Sequence, residues 1–197
     1  MKLSRQAWVS IRAMIVFTVV LGVLYPAVIW AIGLAMPSQL NGTLVRQNGQ
    51  VVGSSLIGQS FTDKKGDALP QWFQSRPSAA GAGYDGASSS GSNYGPENTD
   101  LITAIKKRQA AIEKSDGVTV DQIPADAVTA SASGLDPDIS EAYALIQVSR
   151  VAQARGLSVD AVRALVETHV DGRPLGYLGE PTVNVLQLNI ALAALKS

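Results

Sequence analysis

The dominant feature of the hydrophobic pattern is an uncharged stretch at positions 13–36. Half of its residues are Leu, Ile, Val or Phe, and no charge lies between Arg12 and Arg46. An α-helix of this length spans about 36 Å, which is enough to cross a hydrocarbon core about 30 Å thick. The pattern therefore predicts a single transmembrane helix, with a bend expected at Pro26.

After this stretch the apolar runs become short and are separated by turn residues. Two of them flank Asn48-Gly49, the dipeptide most typical of a tight β-hairpin turn. We expect the second arm to continue through Leu56 and Ile57, and the apolar pair at 72–73 to join the same sheet. The chain thus predicts a small hairpin-based sheet directly after the membrane span.

The second half of the chain carries helical patterns with clear capping residues. Four helices are predicted: one capped by Asn98 or Thr99, one by Ser140, one by Ser158 and one covering 183–195, capped by Thr182 or Asn184. Gly156 is expected to end the second of these helices. Together with the hairpin they predict a small α+β domain outside the membrane.

A segment of unusual composition separates the hairpin from these helices. In the segment 75–98, every residue except Arg76, Tyr84, Tyr94 and Glu97 is Gly, Ser, Ala, Pro, Asn or Asp. A long stretch without periodic apolar positions is either a mobile surface loop or a loop that becomes ordered against a partner. In the second case Tyr84 and Tyr94 would be the natural contacts, because tyrosine supplies contact area at a low entropic cost.

The distribution of charge predicts how the chain is oriented. Lys2, Arg5 and Arg12 precede the apolar stretch, whereas all the acidic residues follow it, the first being Asp63. The positive-inside rule then predicts a cytoplasmic segment at 1–12, a transmembrane helix at 13–36 and an extracytoplasmic domain at 37–197. A cleaved signal peptide ending near 33–35 is the alternative, although signal peptides have apolar cores of only about 7–15 residues.

Composition excludes several classes of function. The 16 basic and 16 acidic residues give no net charge, which argues against nucleic-acid binding. The absence of cysteine excludes disulfide scaffolds and thiolate metal sites, and a single histidine, His169, excludes a multi-histidine metal centre. We therefore expect no cofactor or metal of the chain's own.

Sequence motifs for catalysis are also missing. The chain has no Gly-x-Ser-x-Gly or Ser-x-x-Lys sequence, and the glycines at 86 and 91 are not followed by the lysine of a phosphate-binding loop. A hydrolase using Ser131 or Ser133 with His169 stays open as an alternative, as does a solute-binding module, but His169 shares a helical face with Val162 and is more typical of packing. The pattern favours an accessory subunit over an enzyme.

Two groups of charged residues have simple interpretations. Asp136 and Asp138 flank Pro137 just before the Ser140 cap, where we expect them to complement the N-terminus of the helix. The basic run at 106–108 is predicted to be a solvated helix face. Asp85 and Glu97 in the long loop are candidates for attracting cations, with surface solvation as the simpler interpretation.

Several segments, in order, resemble one family along nearly the whole chain. The most specific are LIGQSF at 56–61 and TASASGLDPDIS at 129–140; the others are NGTL at 41–44, FQSRPS at 73–78, SSGSN at 89–93, IQVSRVAQAR at 146–155 and VNVLQLN at 183–189. This ordered set resembles the C subunit of the Kdp-type bacterial potassium-transporting ATPase.

The resemblance implies a single-pass inner-membrane subunit of a complex that imports potassium at the expense of ATP. Its partners would be a channel-like A subunit, an ATP-hydrolysing B subunit of the P-type class and a small F subunit. ATP and potassium would be handled by the complex, with the C subunit described as a catalytic chaperone that raises the B subunit's affinity for ATP. The anchor would lie among lipids and pack through small residues such as Gly22, Ala27 and Gly33.

The family description also implies a role for Gln59. In that description the sequence at 56–59 is compared with the signature of ATP-binding cassettes, which makes Gln59 a nucleotide contact. The charge pattern instead places Gln59 outside the membrane, away from cytoplasmic ATP. From the residues we expect LIGQ to end a strand and enter a turn, with the Gln59 side chain bonded to backbone groups.

Overall fold

The computed structural model describes residues 3–195, which form two compact units divided after Leu44. The N-terminal unit contains a helix that runs from Leu3 to Leu34, with a mean hydropathy of 2.4 in its most apolar window. This helix is longer than the predicted span because the more polar residues 3–12 are also helical. Lys2, one of the basic residues used to predict orientation, lies outside the described residues.

The long helix changes its hydrogen-bonding pattern before Pro26. Helix α1 covers Leu3–Val19, a π-helical turn covers Val20–Leu24, and helix α2 covers Tyr25–Leu34. At the end of the π-helical turn the N–H of Tyr25 donates to the Val20 carbonyl, one residue further back than in an α-helix. The irregularity that the sequence predicts at Pro26 therefore takes the form of a π turn just before it.

A short helix and the predicted hairpin follow the long helix. Helix α3 covers Pro37–Leu40, strand β1 Leu44–Gln47 and strand β2 Gln50–Ser54. Asn48 and Gly49 both have positive φ, 50° and 80°, as a type I′ turn requires. The hairpin is confirmed, but its extension was wrong: β2 ends at Ser54, and Ile57 turns back to donate its N–H to the Ser54 carbonyl.

The predicted helices are present, and their caps are those expected. The four are α4 (Thr99–Asp116), α6 (Glu141–Arg155), α7 (Val159–Thr168) and α8 (Val185–Ala194). A short helix that was not predicted, α5, covers Ala125–Val128. The side chains of Asn98, Ser140, Ser158 and Asn184 each accept hydrogen bonds from N–H groups of the first turn. Gly156 ends α6 with φ 67°, the left-handed conformation common at helix ends.

A second sheet was not foreseen from the sequence. Strands β3 (Asp138–Ser140), β4 (Val170–Asp171) and β5 (Thr182–Asn184) pair antiparallel in the order β3-β5-β4. The last helix was predicted to begin at 183, with Thr182 or Asn184 as its cap, but residues 182–184 form the central strand of this sheet and the helix begins after Asn184. With helices packed beside two small sheets, the fold class is α+β as predicted.

The core of the C-terminal unit lies between α6, α7, α8 and the three-stranded sheet. Its fully buried side chains include Ile139, Val148, Val162 and Leu188. Phe73 is also fully buried in this core, although it belongs to an irregular segment rather than to a strand. The prediction that residues 72–73 join the hairpin sheet was therefore wrong: the pair contributes a core anchor instead.

Candidate functional site: the motif cluster around Gln59

Gln59 lies beside the backbone of strand β2, and its side chain satisfies that strand. Its Nε2 donates to the Val52 carbonyl at 2.8 Å, while its own carbonyl accepts from Ser75 Oγ at 2.8 Å. Strand β2 ends at Ser54, and a turn separates it from Gln59. The expectation that the Gln59 side chain bonds to backbone is therefore confirmed. A half-buried amide in this arrangement serves chiefly to compensate a strand-edge carbonyl.

Gly53 makes this arrangement possible. A Cβ built on Gly53 would overlap the Gln59 side-chain amide and would come within 2.9 Å of Leu186 Cδ2. The absence of a side chain on β2 therefore creates the slot in which the Gln59 amide lies. We infer from this packing that the two residues form one structural unit.

Gly58, the preceding residue, joins the LIGQ turn to the segment 129–140. It is buried, and its N–H donates to the Leu135 carbonyl at 2.9 Å. A Cβ at this position would lie 2.5 Å from the Asp136 carbonyl and would overlap the Tyr84 ring. The glycine is required by this close approach of two chain segments and a tyrosine, rather than by its own φ.

Arg76 and Asp136 connect two of the other motifs through an ion pair. Arg76 Nη1 lies 2.8 Å from Asp136 Oδ2, and the two side chains are only 23% and 30% exposed. The other Asp136 oxygen accepts from the N–H of Asp138 at 3.1 Å. Arg76 Nε is buried and has no hydrogen-bond partner among the described residues.

Asp138 is held by the start of the last helix. Its Oδ1 accepts from Asn184 Nδ2 at 3.0 Å. Burial raises the pKa of the Asp138 carboxyl, the Asn184 hydrogen bond opposes that shift, and the charges of Asp136 and Asp171 add to it. Asp126, rather than Asp136 or Asp138, bonds the N–H and hydroxyl of Ser140. That the charges of Asp136 and Asp138 complement the N-terminus of α6 stays a prediction.

The side chain of Asn189 forms with the Phe73 backbone the two hydrogen bonds that a neighbouring strand would otherwise form. Its Oδ1 accepts from the Phe73 N–H and its Nδ2 donates to the Phe73 carbonyl, both at 3.0 Å. Asn184 lies at the start of the same helix. Its Nδ2, which also donates to Asp138, donates to the Ser55 carbonyl at 3.0 Å. These two asparagines fasten the segments at 55 and 73 to helix α8.

A buried glutamine plays the same part on helix α6. Gln147 is fully buried, its Oε1 accepts from the Gln74 N–H at 2.7 Å, and its Nε2 donates to the Gln74 carbonyl at 3.2 Å. Arg150 donates to the same Oε1 and forms an ion pair of 2.6 Å with the buried side chain of Asp116. Side-chain amides thus pair the backbone at 73–74, which explains why this segment needs no neighbouring strand.

The long segment at 75–98 is irregular but docked on its own chain. Ser78 Oγ donates to the Gly134 carbonyl at 2.6 Å and accepts from the Tyr84 N–H at 2.8 Å. The Tyr84 hydroxyl donates to the Arg76 carbonyl, and burial raises the pKa of Tyr84 to about 12. Of the two predicted contacts, Tyr84 is therefore used internally, while Tyr94 remains exposed.

Gly134 marks the point where this loop meets the TASASG sequence. Its φ is 66°, and a Cβ there would lie 2.6 Å from the Ser90 carbonyl and 2.7 Å from the Ala80 nitrogen. The Ser90 N–H also donates to the Ser133 carbonyl at 3.0 Å. The segments that carry the family resemblance are therefore the surfaces along which the irregular parts of the chain pack against each other.

The residues proposed for a hydrolase are not assembled into a catalytic arrangement. Ser133 Oγ accepts from the Leu135 N–H, Ser131 is buried, and His169 Nδ1 lies 2.8 Å from the Leu165 carbonyl at the end of α7. Within residues 3–195 no hydrogen bond joins His169 to either serine. His169 is half-buried at a helix end, in agreement with a packing role.

The cavity beside Gln59 is small and largely apolar. It measures about 150 Å³ and is lined by side chains that include Val52, Phe61, Trp72 and Leu186. Sites for drug-sized ligands usually enclose about 300–1,000 Å³ and contain a few polar groups that fix the ligand. In the described part of the chain no charged residue lines this cavity.

The basic run at 106–108 is only in part a solvated face. Arg108, expected on that face, is half-buried and donates to the Val128 carbonyl at 2.7 Å. Burial lowers the pKa of this guanidinium. Lys106 and Lys107 are exposed as expected, and so are Asp85 and Glu97 in the docked loop.

The loop between β4 and β5 presents apolar side chains to solvent. Leu175 is 80% exposed and Tyr177 70% exposed, and the Arg173–Glu180 ion pair closes the base of this loop. Leu175 has φ 55°, a left-handed conformation that is strained for a leucine. We call residues 172–181 the apolar loop. Its apolar residues are not periodic, so the sequence carries no signal for it.

Known proteins are similar to this chain along nearly its whole length. The family model described as "K+-transporting ATPase, c chain" matches residues 7–194. A protein of Kineococcus radiotolerans named "Potassium-transporting ATPase KdpC subunit" is 51% identical over 190 residues, 96% of this chain and 94% of its own length.

Proteins with the same name show the same extent of similarity. The one of Herpetosiphon aurantiacus is 52% identical, covering 95% of each chain, and the one of Mycobacterium bovis is 47% identical, covering 96% of this chain and 98% of its own. The family match includes most of the long apolar helix as well as the whole motif cluster. The chain therefore belongs to the family of the c chain of K+-transporting ATPases.

Proposed function

We propose that the chain is a non-catalytic accessory subunit of an ATP-driven, high-affinity potassium import complex. The observation that carries this proposal is how the family motifs are used. The side chains of Gln59, Arg76, Asn184 and Asn189 all form hydrogen bonds or ion pairs inside the domain. Motif residues used in this way maintain a shape, which is what an assembly subunit supplies.

The proposed topology has a cytoplasmic segment at 1–12, a single inner-membrane span at 13–36 and an extracytoplasmic domain at 37–197. Arg5 and Arg12 support it, because basic residues collect on the cytoplasmic side. The Arg12 guanidinium lies 4.9 Å from the centre of the Trp8 ring. A tryptophan beside an arginine suits the interface between lipid and water.

The proposed partners are a channel-like A subunit that binds potassium, an ATP-hydrolysing B subunit and a small F subunit. ATP and potassium are handled by those subunits, and this chain carries no cofactor of its own. Its contribution is assembly and stability, together with the increase in ATP affinity that the family description assigns to a catalytic chaperone. The long apolar helix supports direct contact with a membrane-embedded partner.

The apolar loop is the part of the domain that we assign to the contact with the A subunit. Leu175 and Tyr177 protrude, and the Arg173–Glu180 ion pair balances the charge at the base of the loop. An uncharged, aromatic-containing tip is suited to a protein pocket, because little side-chain entropy is lost on binding.

Gln59 is proposed to stabilise the domain rather than to contact nucleotide. Its amide is already bonded to Val52, and the proposed topology places it across the membrane from cytoplasmic ATP. Any influence of this chain on ATP affinity would then pass through the membrane-embedded subunits. Asp85 and Glu97 are exposed and available to attract cations, a secondary part of the proposal.

Protease protection tests the topology and hence the function. In spheroplasts of a bacterium that carries the complex, protease added outside is expected to remove a C-terminal tag and leave an N-terminal tag intact. A C-terminal tag that survives until lysis would contradict the orientation. A chain lacking residues 1–35 in intact cells would contradict the anchor and favour the signal-peptide alternative.

A further inference from the structure

The π-helical turn in the long helix displaces the Leu21 carbonyl from its regular donor. In an α-helix this carbonyl would accept from the N–H of Tyr25, but here Tyr25 donates to Val20. The donor one residue further on, which a π-helix would use, is Pro26, and proline has no N–H. The Leu21 carbonyl therefore has neither its α-helical nor its π-helical partner.

The side chains nearby do not replace this donor, and the backbone beside it is open. Among the side-chain hydrogen bonds of the described N-terminal unit, those of Ser38 and Asn41, none reaches the Leu21 carbonyl. A Cβ built on Gly22 would meet no atom within 4 Å. A neighbouring helix can therefore approach the backbone closely at this point.

The surroundings make this carbonyl costly if it stays unpaired. The π turn lies inside the uncharged stretch, about eight to twelve residues from Arg12, so the proposed membrane span places it in hydrocarbon. A carbonyl at that depth has no bulk water, and breaks in membrane helices persist where a neighbouring helix or an ordered water restores the lost hydrogen bonds. A donor from outside this chain is needed.

We infer that the Leu21 carbonyl accepts a hydrogen bond from a polar side chain on a transmembrane helix of another subunit. The donor would be a hydroxyl or amide of the serine, threonine, asparagine or glutamine class, the groups that join helices within membranes. This inference rests on the proposed function, because it requires both the membrane span and the complex. The π turn thereby provides a polar contact point in an otherwise apolar transmembrane helix.

The substitution Pro26→Ala tests the inference by restoring the missing N–H. Alanine at position 26 can donate to Gly22, and Tyr25 can return to Leu21, so the helix satisfies itself. Recovery of the ATPase subunits with the tagged full-length chain from mild detergent is then expected to fall about tenfold, as for the loss of one or two interhelical hydrogen bonds. Pro37→Ala, the same exchange at the first position of α3, should leave recovery unchanged.

The outcomes separate this inference from the proposed function. If Pro26→Ala recovers the ATPase subunits as well as the unsubstituted chain does, the inference is wrong while the proposed function stands. If the unsubstituted chain recovers no ATPase subunit, the proposed function fails, and the inference fails with it.

Isotope-edited infrared spectroscopy gives a readout that does not depend on assembly yield. A carbon-13, oxygen-18 label in the Leu21 carbonyl should absorb at lower frequency in the complex than in the isolated full-length chain, whereas the same label at Ile29 should not shift. Equal frequencies in the two states would overturn the inference. A low frequency already present in the isolated chain and sensitive to D₂O would also overturn it, by identifying water as the donor.

Discussion

Asn189 forms a two-point contact with Phe73, accepting from its N–H and donating to its carbonyl at 3.0 Å each. This contact joins the last helix to an irregular segment far earlier in the chain. It holds a fully buried aromatic ring in the core without any strand pairing. The domain therefore uses amide side chains where sheet neighbours would otherwise be needed.

Asn189→Ala is expected to destabilise the chain strongly. It leaves the Phe73 N–H and carbonyl buried and unpaired, each costing about 1–3 kcal/mol. The midpoint of thermal unfolding, followed by tryptophan fluorescence of the full-length chain in detergent, should fall by roughly 5–15 °C. Gln187→Ala, on the exposed side of the same helix, is the control. An equal effect of both changes would show that the hydrogen bonds between Asn189 and Phe73 do not stabilise the domain.

Gly53 and Gln59 are expected to be coupled. Gly53→Ala places a Cβ on the Gln59 amide, and Gln59→Ala leaves the Val52 carbonyl without its donor. Each change alone should destabilise by about 1–3 kcal/mol. The double variant should cost less than the sum by at least about 0.5 kcal/mol, because the alanine at 59 vacates the slot. Strictly additive losses of unfolding free energy, measured with denaturant, would show that the Cβ introduced at position 53 and the Gln59 amide do not compete for the same space.

Gln59→Ala also separates a structural from a nucleotide-binding role. We expect the assembled complex carrying this variant to keep its apparent affinity for ATP, measured by the ATP dependence of hydrolysis, even though the chain itself is less stable. A selective rise in the ATP concentration needed for half-maximal activity, with assembly unchanged, would contradict the structural assignment. Gly53→Ala serves as a control that disturbs the packing around the Gln59 side chain without removing its amide.

Tyr84 should make the domain sensitive to alkali. Burial raises its folded pKa to about 12 from an ordinary value of 10.0, so the unfolded chain loses this proton first. The stabilisation is complete below the ordinary pKa and is lost as the pH rises through the folded one. Ultraviolet titration should show a late-ionising tyrosine, besides the buried Tyr143, whose pKa is also raised. Tyr84→Phe should remove it and Tyr94→Phe should not; loss of the same late step in both variants would contradict the assignment.

The apolar loop is expected to affect assembly but not folding. Leu175→Ser changes a side chain that is 80% exposed, so the free energy of unfolding should change by less than about 0.5 kcal/mol. Recovery of the channel-like subunit should nevertheless fall by about tenfold, as for loss of an interface anchor. Val120→Ser, also at an exposed apolar position, is the control. Full recovery with Leu175→Ser would remove the loop from the interface.

The elements that could be predicted from the sequence are those whose signals are local. The Asn48-Gly49 turn and the caps at Asn98, Ser140 and Ser158 each depend on a few neighbouring residues, and all were found. The Gln59 side chain was also placed correctly on backbone, because a polar residue after an apolar strand must satisfy nearby groups. The family motifs indicated which family the chain resembles, but they did not predict which of the motif segments contact each other.

The features that were missed depend on contacts between distant residues. Strands β4 and β5 are too short to show an alternating pattern, and their pairing is decided by the fold. Phe73 looked like part of a strand because the amides that pair its segment, Gln147 and Asn189, come from helices much later in the chain. The π turn could not be predicted either, since Pro26 alone indicates an irregularity but not its form.

Membership of a membrane ATPase complex can be measured by affinity purification of the tagged full-length chain from native membranes, followed by mass spectrometry. We expect an intact N-terminus together with a channel-like membrane subunit and an ATP-hydrolysing subunit in fixed proportion. Recovery of the chain alone, from membranes whose potassium-dependent ATP hydrolysis remains in the fraction that was not bound, would contradict it.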